Sequence, residues 1–207
     1  MLVIDDFLPE AEFKTLQSEL LGNDFPWYFL PTVSRPPGSY IPLGATETFG
    51  WFHNFYSKAD GIDSVTMDII KPLLDGIRKH ENADFIRIRA SLKTQLKGFT
   101  EDDYNLPHVD YDFPHMSVIY YLNESDGDTW MFNETFKSLP EPDEFTVKDR
   151  ITPKPNRLLV FNGLDYHTAS NPINSTTRFI ININYKWDNM KDSPLNKLQQ
   201  LMIITAE

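Results

Sequence analysis

His108, Asp110, His167 and Arg178 are the residues whose types and order could do chemistry in this sequence. In Pro107-His108-Val109-Asp110-Tyr111 an imidazole and a carboxylate stand one residue apart. On extended backbone, alternate side chains share a face and sit about 6.5 Å apart, so the pair can converge on one cation. Pro107 and Pro114 bracket the stretch and favour a strand end or a loop over a helix. The triplet alone carries little weight, because with five histidines in the chain chance supplies roughly half of one. Its companions decide the matter. His167 follows the apolar run Leu158-Leu-Val-Phe161 and the turn pair Asn162-Gly163, and Arg178 opens the last strand-like run. Two imidazoles and a carboxylate form the facial set that holds non-haem Fe(II) while leaving coordination positions open. A guanidinium behind such a site suits an anion, since it pairs bidentately with a carboxylate and keeps its charge when desolvated.

The elements that must position these residues are mostly strands. Ile86, Ile88, Ala90 and Leu92 alternate with Arg87, Arg89, Ser91 and Lys93, and Phe179, Ile181, Ile183 and Tyr185 alternate with Arg178, Ile180, Asn182 and Asn184. Each run has one apolar and one polar face. In an ordinary sheet the polar face meets solvent; in a ligand-binding barrel it is the interior. Met116–Asn123 and Asp128–Phe132 read as a hairpin across the turn Glu124-Ser-Asp-Gly127, and Arg157–Phe161 as a further strand after a charged, proline-bearing excursion over 134–156. Thr48–Tyr56 reads as an aromatic strand. Upstream, Leu2–Ile4 suggests a short strand, followed by a helix that Pro9 opens and Gly22 closes, with Phe13, Leu16 and Leu20 along one face. A second helix fits 63–80, capped by Asp63 or Ser64 and kinked or broken by Pro72. The loop over 30–48 holds four prolines and two glycines and reads equally as a lid or as plain surface. Short strands after a helical start predict a curled or sandwiched antiparallel sheet with helices on its outer face.

Composition narrows the rest. A chain of 207 residues, 41% hydrophobic, suffices for one well-buried core, and no repeat or linker divides it. A net charge of -11 disfavours nucleic acid and anionic membranes as partners. The chain contains no cysteine, which excludes disulfides, thiolate ligands and cysteine nucleophiles. Without a secretory signal or an apolar run long enough to span a membrane, a cytoplasmic protein is expected. Leu195, Leu198, Leu201 and Met202 suggest a short amphipathic C-terminal helix, packed on this chain or on a second copy.

The ordered set His108-Val-Asp110, Ile119-Tyr-Tyr-Leu-Asn123, Gly127-Asp-Thr129, Leu158-Leu-Val-Phe161, His167 and Arg178 resembles the 2-oxoglutarate and Fe(II)-dependent dioxygenases, most closely the prolyl-4-hydroxylase-like group. The N-terminal Val3-Ile-Asp-Asp-Phe-Leu8 before a helix is similar as well. The resemblance implies a double-stranded β-helix, the jelly-roll or cupin-like barrel, in a single domain over 1–207. Residues 1–84 would be helical support and lid loop, 85–187 the core, and 188–207 a tail. It implies that His108, Asp110 and His167 bind iron, that Arg178 pairs with the far carboxylate of 2-oxoglutarate, and that Tyr121 hydrogen-bonds that same carboxylate. Asn182 and Asn184 share the face of Arg178 and are candidates to line the pocket. The cofactor set it implies is Fe(II), 2-oxoglutarate and O2, with ascorbate as an optional stimulant. The activity implied is decarboxylation of 2-oxoglutarate to succinate and CO2, coupled to hydroxylation of a peptidyl proline, an amino acid or a small metabolite.

The sequence departs from the family in carrying Asp126-Gly127-Asp128-Thr129 where many relatives have two glycines. It also has no clear match for the polar residue that relatives place on the strand before the metal motif, for which Arg89, Ser91 and Lys93 are candidates. His53, His80 and His115 read as structural or surface residues, with His53 and Trp51 kept as weaker candidates for the substrate end. Two other readings stay open: a cupin-like metalloenzyme of another reaction type, and a non-catalytic metal-binding barrel used for binding or sensing. The substrate and the oligomeric state, a homodimer included, are open too.

Overall fold

The structure is a computed structural model that describes residues 1–33, 45–46, 48–80, 83–138 and 142–186. In chain order its elements are β1 (Leu2–Ile4), α1 (Glu10–Leu20), β2 (Tyr28–Leu30), β3 (Ala45–Thr46), β4 (Gly50–Ser57), β5 (Ile62–Asp63), a 3-10 turn (Met67–Ile70) and α2 (Lys71–His80). There follow β6 (Asp84–Thr94), β7 (Tyr104–Asn105), β8 (Met116–Tyr121), β9 (Thr129–Thr135), β10 (Val147–Ile151), β11 (Arg157–Asn162), β12 (Asp165–Ala169) and β13 (Thr177–Lys186). The larger sheet runs β1-β11-β8-β13-β6-β4-β2, with β5 on β4, and the smaller runs β10-β9-β12. This is the double-stranded β-helix, mainly β with, among the described residues, two helices outside the larger sheet.

Alternation along the strands explains why helices cover one face of that sheet. Ile88, Ala90, Val118, Tyr120, Val160, Ile181, Ile183 and Tyr185 point outward into a core shared with Phe13, Leu16 and Leu20 of α1 and Leu73, Leu74 and Ile77 of α2. Burying one such Leu or Ile is worth about 1.5–3 kcal/mol relative to leaving it in water, enough to fix which face each strand turns to the helices. The other face is the interior. There Arg178, Asn182 and Asn184 are buried although polar, so the polar faces of β6 and β13 are not solvent faces.

Several local expectations change. Pro9 occupies the N-cap position and its carbonyl accepts the Phe13 N–H, while Leu21 closes α1. The second helix begins at Lys71, so Pro72 lies in its first turn, where no intrahelical N–H is needed. Asp63 belongs to β5 instead of capping it. β8 and β9 do not pair as a hairpin: β8 lies between β11 and β13, and β9 between β10 and β12. The turn between them crosses from one sheet to the other, held because Asp126 accepts the backbone N–H groups of Ile173, Asn174 and Ser175. The excursion over 134–156 contains β10, and Tyr166-His167-Thr168, after the Asn162-Gly163 turn, lies in β12. Most of the 30–48 loop and the whole 188–207 tail lie outside the described residues, and with them the lid and the C-terminal helix. No described helix is long and apolar enough to cross a membrane.

Candidate metal and co-substrate site

The interior of the barrel holds a cavity of about 180 Å³, reached by side chains from both sheets. His108 and Asp110 come from the extended stretch after Pro107, which places both on one side of the chain. His108 forms an isolated antiparallel bridge with His167 of β12, each N–H donating to the other's carbonyl at 3.0 and 3.1 Å. Backbone pairing alone therefore sets the third group opposite the first. The ligand atoms of His108, Asp110 and His167 lie within 4.8 Å of one another, and His167 Nε2 is 3.8 Å from Asp110 Oδ2.

Hydrogen bonding fixes which nitrogens face inward. His108 Nδ1 donates to the Leu106 carbonyl at 3.0 Å, and His167 Nδ1 to the Asp165 carbonyl at 3.1 Å. A ring that donates from Nδ1 keeps its Nε2 lone pair for a metal. Burial pushes His167 down to about 4, with the charge of His108 adding to it and Asp110 opposing, so the ring is neutral at neutral pH. Burial works against the charge on Asp110, yet Arg87, the two histidines and the Asn184 amide hold its carboxyl well below the usual carboxylate range. An ionised carboxylate and two imidazoles that offer Nε2 are the donor set that a first-row divalent metal takes. The three residues fit that group.

Asp110 is gripped closely. Arg87 Nη2 donates to Oδ1 at 2.6 Å, and Oδ2 accepts from Asn184 Nδ2 at 2.8 Å, Asn182 Nδ2 at 3.3 Å and Ser117 Oγ at 3.3 Å. Asn182 and Asn184, expected among the pocket-lining residues, thus spend their amides on the carboxylate. Asn182 still borders the cavity, whereas Asn184 is fully buried against Asp110 and Ser117. Sequence reasoning missed Arg87 and Ser117 as partners of Asp110. The signal for Arg87 was the polar face of β6; for Ser117 there was none, because every side chain of β8 is buried.

At the other end Arg178 is 2% exposed. Its Nε donates to the Gly127 carbonyl at 2.7 Å and its Nη2 to Thr129 Oγ1 at 2.8 Å, and Tyr121 OH meets the same Thr129 oxygen at 2.7 Å. Tyr121 thus meets Arg178 both directly, with the guanidinium 5.7 Å over its ring, and through the Thr129 hydroxyl that they share. Gly127 is required here: a Cβ would lie 2.8 Å from the Ser170 carbonyl and 3.1 Å from Arg178 Cδ. One glycine thus suffices in Asp126-Gly127-Asp128-Thr129. The candidates Arg89, Ser91 and Lys93 all border the cavity, as does Trp51. His53 does not: its ring bonds the Pro26 carbonyl and Ser64 Oγ, on the helical side. His115 is buried beside the cluster, with Nδ1 on the Phe113 carbonyl and Nε2 3.3 Å from Ser117 Oγ.

The double-stranded β-helix with an inward His-X-Asp…His cluster is the arrangement that the sequence resemblance implies. Comparison with solved structures bears on the fold. The chain is similar to a prolyl hydroxylase from Trichoplax adhaerens, solved with a hypoxia inducible factor oxygen degradation domain peptide fragment, at 16% identity and a TM-score of 0.56 over 89% of this chain and 82% of that one. A 2OG-Fe(II) oxygenase family oxidoreductase from Burkholderia pseudomallei aligns at 14% identity and a TM-score of 0.54, over 86% of this chain and 79% of that one. The alpha ketoglutarate dependent epimerase SnoN from nogalamycin biosynthesis aligns at 16% identity and a TM-score of 0.54, over 89% and 76%. Comparison with family models and with curated proteins returns no match.

Proposed function

We propose that the protein is an Fe(II)- and 2-oxoglutarate-dependent oxygenase whose reaction hydroxylates a small substrate. The observation that carries this reading is the convergence of His108, Asp110 and His167 within 4.8 Å on a cavity that Arg178 also borders. His108 Nε2, His167 Nε2 and the Asp110 carboxylate would hold the iron. When bound, it supplies the oxidation that couples loss of CO2 from 2-oxoglutarate, giving succinate, to insertion of oxygen into a substrate C–H bond.

The chain's own residues do the positioning. Arg178 would take the far carboxylate of 2-oxoglutarate in a bidentate pair, with Gly127 and Thr129 fixing the plane of its guanidinium and Tyr121 steering it through Thr129. Arg87, Asn182, Asn184 and Ser117 hold Asp110 ionised and oriented. Ile119 and Ile180 border the cavity between the two ends and keep it partly apolar, which excludes water from the reacting groups. An epimerase among proteins of this fold makes hydroxylation one outcome to be tested separately from 2-oxoglutarate turnover.

The test is anaerobic titration of the protein with Fe(II) and 2-oxoglutarate, followed by admission of oxygen. The expected result is a weak visible charge-transfer band that decays as succinate appears. No band and no succinate would sink the proposal.

A further inference from the structure

Three arginines border the cavity, against one carboxylate among the described lining residues, Asp110. Arg87 is committed to that carboxylate at 2.6 Å, and Arg178 is the residue assigned above to 2-oxoglutarate. Arg89 has neither role. Its Nε donates to Asn54 Oδ1 at 2.7 Å and its guanidinium lies 4.9 Å over the Phe52 ring. Both are neutral groups of β4 that fix its plane. Among the described residues no carboxylate lies within ion-pair distance of it.

Its place in the register matters as much. Across β6 and β13, Arg87 faces Asn184, Arg89 faces Asn182, and Lys93 faces Arg178. Arg89 therefore stands in the row of Asn182, between the Arg87–Asn184 row and the row of the co-substrate anchor, displaced toward β4 and away from β8. A group held there would share the cavity with the metal cluster and would leave Arg178 free for 2-oxoglutarate. In a chain of net charge -11 the general field repels anions, so an oriented, half-buried guanidinium in the cavity is a local exception to it.

We infer that Arg89, set on Phe52 and Asn54, is the specificity-determining residue for a small anionic substrate, a carboxylate or a phosphate monoester, whose oxyanion it holds beside the metal cluster. The inference rests on the oxygenase function proposed above and narrows its substrate. An arginine whose Nε is already committed still presents its outer nitrogens as a pair of charge-assisted donors. A neutral peptidyl proline would leave that pair unanswered in a partly desolvated site.

The test loads the full chain with Fe(II) and reads both binding and succinate release from 2-oxoglutarate with matched probes. These are N-acetyl amino acids against their primary amides, and alkyl phosphates against the parent alcohols. One anionic series should bind and stimulate at roughly 10- to 100-fold lower concentration than its neutral partners. Which series does so tells a carboxylate from a phosphate. Arg89→Gln should erase the discrimination and Arg89→Lys should restore part of it, a pattern that loss of a purely structural arginine does not produce. If Arg89→Gln fails to fold, discrimination by the unmodified chain still decides. Anions and neutral partners acting alike, or neither acting, overturn the inference. Absence of any succinate release and of the visible band overturns instead the function on which it rests.

Discussion

Asp110 and Arg178 are both buried at the barrel's inner face, and the protein treats them in opposite ways. Asp110 is neutralised inside the fold: Arg87 pairs with one oxygen and three further donors reach the other. Arg178 donates to a backbone carbonyl and a threonine hydroxyl and meets the Tyr121 side chain, and among the described residues no carboxylate lies within ion-pair distance of it. A buried charge with no counter-charge is costly unless a ligand completes it. The contrast separates a site tuned to keep a carboxylate ionised for a cation from one that waits for an anion.

The largest effect should come from breaking the Asp110 end. Asp110→Ala removes a metal donor and leaves the partly buried Arg87 without its counter-charge, so bound iron and succinate release should fall by more than about 100-fold, and the chain should lose on the order of 3 kcal/mol of stability. Metal analysis and thermal unfolding of the same sample check both parts. If iron content were unchanged, Asp110 would not be a ligand. At the other end, Arg178→Gln should raise the 2-oxoglutarate requirement by about 2 kcal/mol or more in binding, roughly 30-fold, with iron affinity close to that of the unmodified protein. The charge-transfer band titrated against 2-oxoglutarate reads this directly. An unchanged requirement would remove Arg178 from the anchoring role.

The contrast was only half legible in the sequence. Period-two alternation exposed the polar faces of β6 and β13, and with them the interior, because a side chain's face follows from its parity along a strand. Where the partners of that face point was not legible. Asn182 and Asn184 share parity with Arg178, yet their amides go to Asp110, which lies more than seventy positions away and reaches them only once the sheet closes. β10 went unseen because four of its five side chains are exposed and charged or isolated, leaving no pattern to read. The supposed β8–β9 hairpin failed for a related reason: a turn signal says that the chain reverses, not that the two strands remain in one sheet.

Within the Asp110 end, Asn184→Ala sharpens the comparison by removing one donor and leaving the ligand itself in place. Iron affinity should weaken by roughly tenfold, the lower range for partners of metal ligands. An effect as large as that of Asp110→Ala would mean that Asn184 holds the carboxylate's position alone. The matching change at the other end, Thr129→Val, removes the hydroxyl that Tyr121 and Arg178 share, and a net hydrogen bond is worth about 1 kcal/mol. The requirement for 2-oxoglutarate should rise several-fold while iron binding stays as it was. Equal shifts in iron and 2-oxoglutarate affinity would show the two ends to be coupled.

The smallest effect reports on what carries Arg178's partners. Asp126 precedes Gly127 and binds three backbone N–H groups and the side-chain amide of the 173–175 loop. Burial opposes its ionisation, but the N–H groups of Asn174 and Ser175 bring its carboxyl down from 3.8 to about 2. A lowered folded value means that the unfolded chain takes up the proton first as the solution is acidified. The stabilisation from Asp126 is therefore full above its unfolded value of 3.8 and is lost as the pH falls toward 2. Asp126→Asn, which cannot ionise, should be modestly less stable than the unmodified protein at neutral pH, with the gap closing between about pH 4 and pH 2. Denaturant unfolding across that range measures the gap. A gap independent of pH would mean that the turn carrying Gly127 is held by its shape and not by the charge of Asp126.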